Sequence, residues 1–298
     1  MKSNYRYIVK AFMAMAVIAG TTSCDDFLDR EPMSSISPET YYSTAAQLEA
    51  NLNDEYPNVL PSFGQWTYGI FGEDKGTDNQ IEVNANDRYT QDRWKVPHSE
   101  SDNWKFERIY RINFFLSEAL PKFGEDMSGS QNTISGSVAT IKHYIGEMYF
   151  LRAYEYFKKL QLFGDFPIIN QPLADEMEAL REASKRFPRN EVARFIISDL
   201  DKAYAYMSDV DMATTRINKD AAMLVKSRVA LFEATWLQNF KGTAFVPGGE
   251  GWPGASLHNN YQYPSGNLDN EVKYFLEQAV EASKLVAPKI RNYHPIHD

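Results

Sequence analysis

The sequence predicts an all-α fold with long irregular loops and few or no strands. Six segments place apolar residues three and four positions apart, which is the spacing of a helix that buries one face. No segment keeps the alternation of period two that is typical of a half-buried strand. Hydrophobic residues make up 43% of the 298 residues, so a packed core is expected.

The six predicted helices differ in how clearly their ends are marked. Their expected extents are 37–52, 102–120, 137–163, 190–207, 218–240 and 270–287. Ser37 and Asn190 are the expected N-caps of the first and fourth helices, because their side chains accept from free backbone amides. The third helix is apolar nearly all round, which predicts packing on several sides. Gly164 is its expected C-cap.

The first 23 residues have the layout of a lipoprotein signal peptide. A basic start and about ten small or apolar residues, ending at Gly20, precede Cys24, the only cysteine in the chain. The apolar run is too short to span a bilayer as a helix. We therefore expect residues 1–23 to be removed and Cys24 to carry lipid, with the domain 24–298 anchored to a membrane. The alternative is a soluble signal peptide followed by a chance cysteine.

Composition argues against a nucleic-acid partner and against cross-links. The formal net charge of −9 repels a phosphate backbone. With one cysteine, the chain forms no internal disulfide, so its stability depends on burial.

Two long connections, 56–101 and 241–268, carry aromatic residues beside amides and glycines. Loops of this length are usually functional or disordered, and their aromatic content argues against disorder. Sugars pack their C–H faces on aromatic rings, while polar side chains bind their hydroxyls. The candidate ligand-binding residues are Trp66, Trp94, Trp252, Tyr261 and Tyr263. The alternative is that these rings only hold the loops onto the helices. Trp104 and Trp236 are expected within helices, in the core.

No catalytic residue, metal site or cofactor is predicted. The carboxylates Glu147, Glu155 and Glu233 lie on predicted helices and are expected to be solvated or ion-paired. No Gly-x-Ser-x-Gly motif is present, and there is no second cysteine. Acidic residues of the first long loop fail the calcium-binding EF-hand pattern, because Asn79 stands where glycine is needed.

Four stretches of the chain resemble the SusD/RagB family of surface nutrient-binding lipoproteins of Gram-negative bacteria. They are residues 23–32, 146–169, 187–203 and 216–231. The most specific one contains Gly146-Glu147-Met148-Tyr149-Phe150-Leu151-Arg152-Ala153-Tyr154-Glu155-Tyr156-Phe157, with Gly164-Asp165-Phe166-Pro167 at its exit.

This resemblance implies a scaffold of tetratricopeptide-like helix pairs and a non-catalytic function. Such a protein binds an oligosaccharide, a polysaccharide or another nutrient at the cell surface, beside a SusC-type TonB-dependent transporter of the outer membrane. Asp25 and Asp26 resemble the surface-export signal of these lipoproteins. Family members are considerably longer, so the chain is expected to be an N-terminal portion. Two alternatives remain open: a surface-anchored glycan-degrading enzyme, and a helical protein-interaction scaffold that binds no sugar.

Lipidation of Cys24 can be tested directly. Radiolabelled palmitate should enter the wild-type protein and should not enter Cys24→Ala, because the thiol is the proposed attachment point. Equal labelling of the two proteins would show that the anchor is absent or lies elsewhere.

Overall fold

The computed structural model describes residues 41–61, 103–124, 126–208, 212–213 and 215–290. Seven α-helices lie in these ranges. They are α1 (Ala45–Val59), α2 (Glu107–Phe123), α3 (Val138–Phe163), α4 (Met177–Ala183), α5 (Arg189–Tyr206), α6 (Lys219–Asn239) and α7 (Leu268–Ile290). Among the described residues, β-structure is limited to two isolated bridges, so the all-α prediction is confirmed. None of the described helices is both long and apolar enough to cross a membrane.

Three helix ends follow their local sequence signals. The Ser137 side chain caps α3 by accepting from the Thr140 amide, and the Asn218 side chain caps α6 by accepting from the Ala221 amide. Gly164 ends α3 with φ +70°, a conformation that glycine adopts without a Cβ clash.

Of the two N-caps predicted from the sequence, Ser37 is not described by the structure and Asn190 needs correction. Ser37 is outside the described residues, and the helix that contains Leu48 begins only at Ala45. Its cap is Thr44, which forms a capping box with Gln47. Asn190 is not a cap, because α5 already begins at Arg189 after Pro188. Its side chain instead makes long-range hydrogen bonds that are described with the site below.

Helix α3 is the centre of the fold. It packs against α1, α2 and α5, and makes a smaller contact with α6. The most extensive contacts are within two pairs, α3 with α5 and α6 with α7, and a contact between α5 and α6 joins the pairs. As predicted from its composition, α3 has buried residues on all sides. The short helix α4 was not predicted, since seven residues hold too little periodicity to detect.

The close approach of α3 and α5 depends on Gly146. A Cβ atom at this position would lie 2.8 Å from the Met207 amide nitrogen and 2.9 Å from the Ala203 carbonyl oxygen. Both atoms belong to the backbone at the end of α5, so neither can rotate away. The glycine therefore lets the two helix backbones meet at this point.

Four charged residues of α3 are buried, and one of them, Arg152, connects three other segments. Its Nε and Nη2 donate to the two carboxylate oxygens of Asp199 on α5, at 2.6 and 2.8 Å. Its Nη1 donates to Asn113 Oδ1 on α2 at 2.9 Å and to the Asn170 carbonyl at 3.1 Å. Burial alone would lower the pKa of Arg152, but the hydrogen bonds to Asp199 and its negative charge together outweigh burial and hold the pKa above its ordinary value.

Glu147 makes the corresponding connection to α1 and to the segment before α6. It accepts from Arg216 Nε at 2.8 Å and Nη2 at 2.6 Å, and from the Tyr56 hydroxyl at 2.8 Å. The neighbouring His143 accepts from the Ser208 amide through Nδ1, so its hydrogen is on Nε2, which faces Glu147 Oε1 at 2.9 Å. The helix carboxylates were expected to be either solvated or ion-paired. Glu147 is ion-paired, and its side chain is fully buried.

The same is true of the other helix carboxylates. Glu155 Oε1 lies 3.3 Å from Lys159 Nζ, one helical turn away, and both residues are buried. Glu233 on α6 pairs with Arg189 and is fully buried. Glu and Lys at this spacing occur on exposed helix faces as well, so the sequence alone does not distinguish a surface pair from an interior one.

Gly146→Ala should destabilise the fold by about 1–3 kcal/mol, because the new methyl group overpacks the α3–α5 contact. At an exposed helical position the same change would stabilise by roughly 0.5–1 kcal/mol, so the sign itself is informative. Urea unfolding measures the sign and the size of this change in stability. Ser198→Ala, on the exposed face of α5, is the control. If Gly146→Ala raises the midpoint, the close helix contact does not exist.

Candidate ligand-binding site

An isolated β-bridge joins the exit of α3 to the residues just before α5. The Phe166 amide donates to the Phe187 carbonyl at 3.2 Å, and the Phe187 amide donates back at 3.0 Å. Next to this bridge, the Asp165 side chain accepts from the Arg189 amide at 2.9 Å, at the first residue of α5. The turn and the start of α5 therefore form one rigid platform.

A cavity of about 510 Å³ lies on this platform. Its lining comes from the end of α3 (161–165), from Arg186 and Arg189, from Trp236 of α6 and from the segment 244–257. The cavity combines aromatic and aliphatic surfaces with a few polar groups, which is the usual make-up of a small-molecule site.

A buried ion pair supports one wall of the cavity. Arg189 donates to Glu233 from Nε at 3.0 Å and from Nη2 at 2.9 Å. The same guanidinium lies 4.0 Å from the centre of the Trp236 ring, a cation–π distance. Burial raises the pKa of Glu233, and the charge of Arg189 opposes this effect. The pair thus fixes the orientation of the half-buried Trp236.

Trp252 forms a second wall. Its indole Nε1 donates to Asp165 Oδ2 at 2.7 Å, so both oxygens of Asp165 accept a hydrogen bond from the protein. Only 5% of Trp252 is exposed, and its ring stacks on His258 with centroids 5.9 Å apart. Burial raises the pKa of Asp165, and the Trp252 bond opposes it.

The remainder of this loop is tied to α5 and α7. The Tyr261 hydroxyl and the Asn190 side chain are hydrogen-bonded, and Asn190 also donates to Glu271 Oε1 at 3.0 Å. The Tyr263 hydroxyl donates to the Pro247 carbonyl at 2.6 Å. Burial alone would raise the pKa of Glu271, but hydrogen bonds led by that from Arg194 outweigh it and lower the pKa.

The structure brings the three predicted residues of this loop into one aromatic cluster. Trp252 and Tyr261 have ring centroids 5.6 Å apart, and Tyr261 and Tyr263 have theirs 5.1 Å apart. Of the three, Trp252 is the one that lines the cavity. The other two candidates, Trp66 and Trp94, lie outside the described residues.

Three further rings line the cavity and were not among the candidates: Phe163, Trp236 and Phe245. Phe245 is 61% exposed, and glycines on both sides of it in the sequence are the signal that could have indicated it. Trp236 lies within a helix as expected, but it is half-buried at the cavity and not in the core. The expectation for Trp104 was wrong. It precedes α2 and is half-buried, with the Arg186 guanidinium 4.6 Å from its ring centre.

Comparison with known proteins identifies the family. A SusD-like family model, described as "Starch-binding associating with outer membrane", matches residues 26–231. The chain belongs to the SusD-like family. Its resemblance to SusD/RagB proteins is therefore confirmed.

Individual SusD-like relatives match over most of this chain but over less than half of their own length. SusD-like protein P25 of Formosa agariphila is 25% identical over 233 residues, which are 72% of this chain and 41% of that protein. SusD-like protein P2 of the same organism is 25% identical over 253 residues, 81% of this chain and 46% of that protein. The match to a solved SusD-like carbohydrate binding protein from Bacteroides vulgatus covers 86% of this chain and 47% of that protein's chain, with 14% identity and a TM-score of 0.49.

The SusD-like match divides the cavity into two parts. The α3 exit, Arg186 and Arg189 lie within residues 26–231, whereas Trp236, Phe245 and Trp252 lie beyond them. The platform therefore belongs to the matched region, and the aromatic walls come from the following segment. Among the described residues, no three His, Cys, Asp or Glu side chains are grouped so that they could hold a metal ion.

Proposed function

We propose that this chain is the glycan-binding part of a non-catalytic outer-membrane lipoprotein. It holds a glycan or another nutrient at the cell surface and passes it to a SusC-type TonB-dependent transporter. The family supports this proposal, since its description names starch binding and association with the outer membrane. The lipid anchor at Cys24 is part of the proposal, and this residue lies outside the described residues.

The observation that carries the proposal is the open aromatic face of the cavity. The Phe245 ring is largely exposed, while its backbone carbonyl accepts from the Trp236 indole at 3.1 Å. The backbone at Phe245 is thus held in place while its ring stays uncovered. Arg186 and Gln161 lie in the same lining and supply donors for sugar hydroxyls. A flat apolar ring beside fixed polar groups suits the two kinds of surface that a pyranose presents.

The candidate residues take different parts in this proposal. Phe245 and Trp236 provide the stacking faces, and Trp252 contacts the ligand through the part of its ring that lines the cavity. Tyr261 and Tyr263 hold that loop in place through their hydroxyl bonds. Trp66 and Trp94 remain proposed contacts in the first long connection.

The engagement of the carboxylates supports binding over hydrolysis. A glycosidase needs two carboxyl groups that face the substrate on either side of the scissile bond. In the described cavity, Asp165 accepts from the Arg189 amide and from Trp252, and the nearby Glu233 is buried against Arg189. These groups are engaged in holding the fold.

Affinity electrophoresis on a panel of polysaccharides, combined with thermal unfolding, tests the proposal. Phe245→Ala should lose retention on the polysaccharide that retains the wild type, with stability unchanged within about 0.5 kcal/mol, as for an exposed residue. Trp252→Phe should cost about 1–3 kcal/mol of stability, because Asp165 Oδ2 loses its donor.

Leu285→Ala, a similarly exposed apolar residue on α7, is the matched control and should change neither quantity. Release of reducing ends would favour the enzyme alternative. The binding proposal fails if no polysaccharide retains the wild type, or if Phe245→Ala is retained as well as Leu285→Ala.

A further inference from the structure

A second cavity, of about 350 Å³, shares Leu162 with the aromatic cavity. It is formed by the segment leading into α2 and by the last turns of α3. Its charged lining consists of four cations and two acids: Lys105, Arg108, Lys158, Lys159, Glu107 and Glu155. A chain with a net charge of −9 therefore has a cation-rich concave surface next to its proposed sugar site.

Among the described residues of this lining, the cations outnumber the acids. Glu155 is its buried acid, and three cations converge on this one carboxylate. The distances are 3.1 Å to Lys158 Nζ, 3.3 Å to Lys159 Nζ and 3.7 Å to Arg108 Nη1. The second acid, Glu107, has a side chain that is 72% exposed and lies 3.5 Å from Arg111, a cation outside the cavity lining. Lys158, Lys159 and Arg108 thus bring three positive charges to one buried carboxylate, so this cluster has a net positive charge.

The cations differ in their freedom to bind a ligand. Lys159 is held inside, because its Nζ donates to the Asn103 carbonyl at 2.7 Å as well as facing Glu155. Lys158 and Arg108 have side chains that are 38% and 49% exposed. Arg108 reaches Glu155 only at 3.7 Å, which is beyond hydrogen-bond distance. Lys158 has three donors on its ammonium group and uses one of them on Glu155. Both side chains can therefore donate to an incoming oxyanion while Glu155 keeps them in place.

We propose that this cavity binds the carboxylate or sulfate-ester oxygens of an acidic sugar unit. The proposal rests on the glycan-binding function and narrows it to acidic glycans. The ridge between the cavities is Leu162, which is 56% exposed. A glycan that places its acidic unit among Lys158 and Arg108 can pass over this ridge and stack a neighbouring unit on Phe245. Hydrogen bonds between cationic donors and an oxyanion are about twice as strong as neutral ones, so the charge provides the selectivity.

Calorimetric titration of the 298-residue chain tests this inference. The probes are galacturonan and sulfated carrageenan oligosaccharides, with neutral xylan and maltose oligosaccharides of matched length and inorganic sulfate alone. Lys158→Gln and Arg108→Gln should each weaken binding of an acidic oligosaccharide by about tenfold or more, since each removes a charge-assisted bond. Lys158→Arg should restore most of the affinity. Binding of neutral oligosaccharides should not change, and added salt should weaken the acidic complex only.

Lys273→Gln is the control, because this lysine is exposed on α7 and its removal changes the net charge equally. Thermal midpoints of the variants should stay close to that of the wild type, because Lys158 and Arg108 are partly exposed and Lys159 remains paired with the buried Glu155. Equal losses in Lys158→Gln and Lys273→Gln would overturn the inference. If inorganic sulfate binds as tightly as the acidic oligosaccharides, the cavity is a simple anion site, and this outcome would also overturn the inference. Binding of neutral glycans without preference for acidic ones rejects this inference alone, whereas binding of no glycan at all also rejects the proposed function.

Discussion

The fold depends on the compensation of charges that are buried inside α3. An ion moved from water into the protein interior loses several kcal/mol of hydration, so it needs partners in a defined geometry. Arg152 obtains them from α5, α2 and the segment after α3, and Glu147 obtains them from Arg216 and Tyr56. Apolar surfaces alone tolerate sliding, whereas a bidentate ion pair does not. We infer that these pairs determine which faces of the helices meet.

The candidate site is built by the same principle at the end of α3. The Arg189 guanidinium donates to Glu233, and the Arg189 backbone amide donates to the Asp165 side chain. Asp165 in turn accepts a hydrogen bond from the Trp252 indole. One residue of α5 therefore links the α3 exit turn, α6 and the glycine-rich loop. A loop held in this way can present Phe245 to solvent without the loss of order that a free loop would suffer on binding.

The sequence predicts most helices because their apolar periodicity is local, and it predicts the α3 ends because serine and glycine caps act within one turn. It misplaces the start of α1, since the apolar positions of residues 41–52 suggest one continuous helix, whereas Thr44 caps a helix that begins at Ala45. It misassigns Asn190, whose partners are 71 and 81 residues away in the chain. The bond between Arg152 and Asp199 spans 47 residues, and nothing local marks it. Phe245 was missed for a related reason: only the folded loop reveals which of its rings stays exposed.

A comparison of two cations around Asp199 tests the central role of the buried pair most directly. Arg152 and Lys202 both face this carboxylate, but the Lys202 side chain is 43% exposed and lies 3.8 Å away. Urea unfolding of Arg152→Met should show a loss of about 3–5 kcal/mol, because Asp199 is left buried without its partner. Lys202→Met should change stability by no more than about 1 kcal/mol. Similar small losses for both substitutions would contradict the dependence of the scaffold on charges buried in α3.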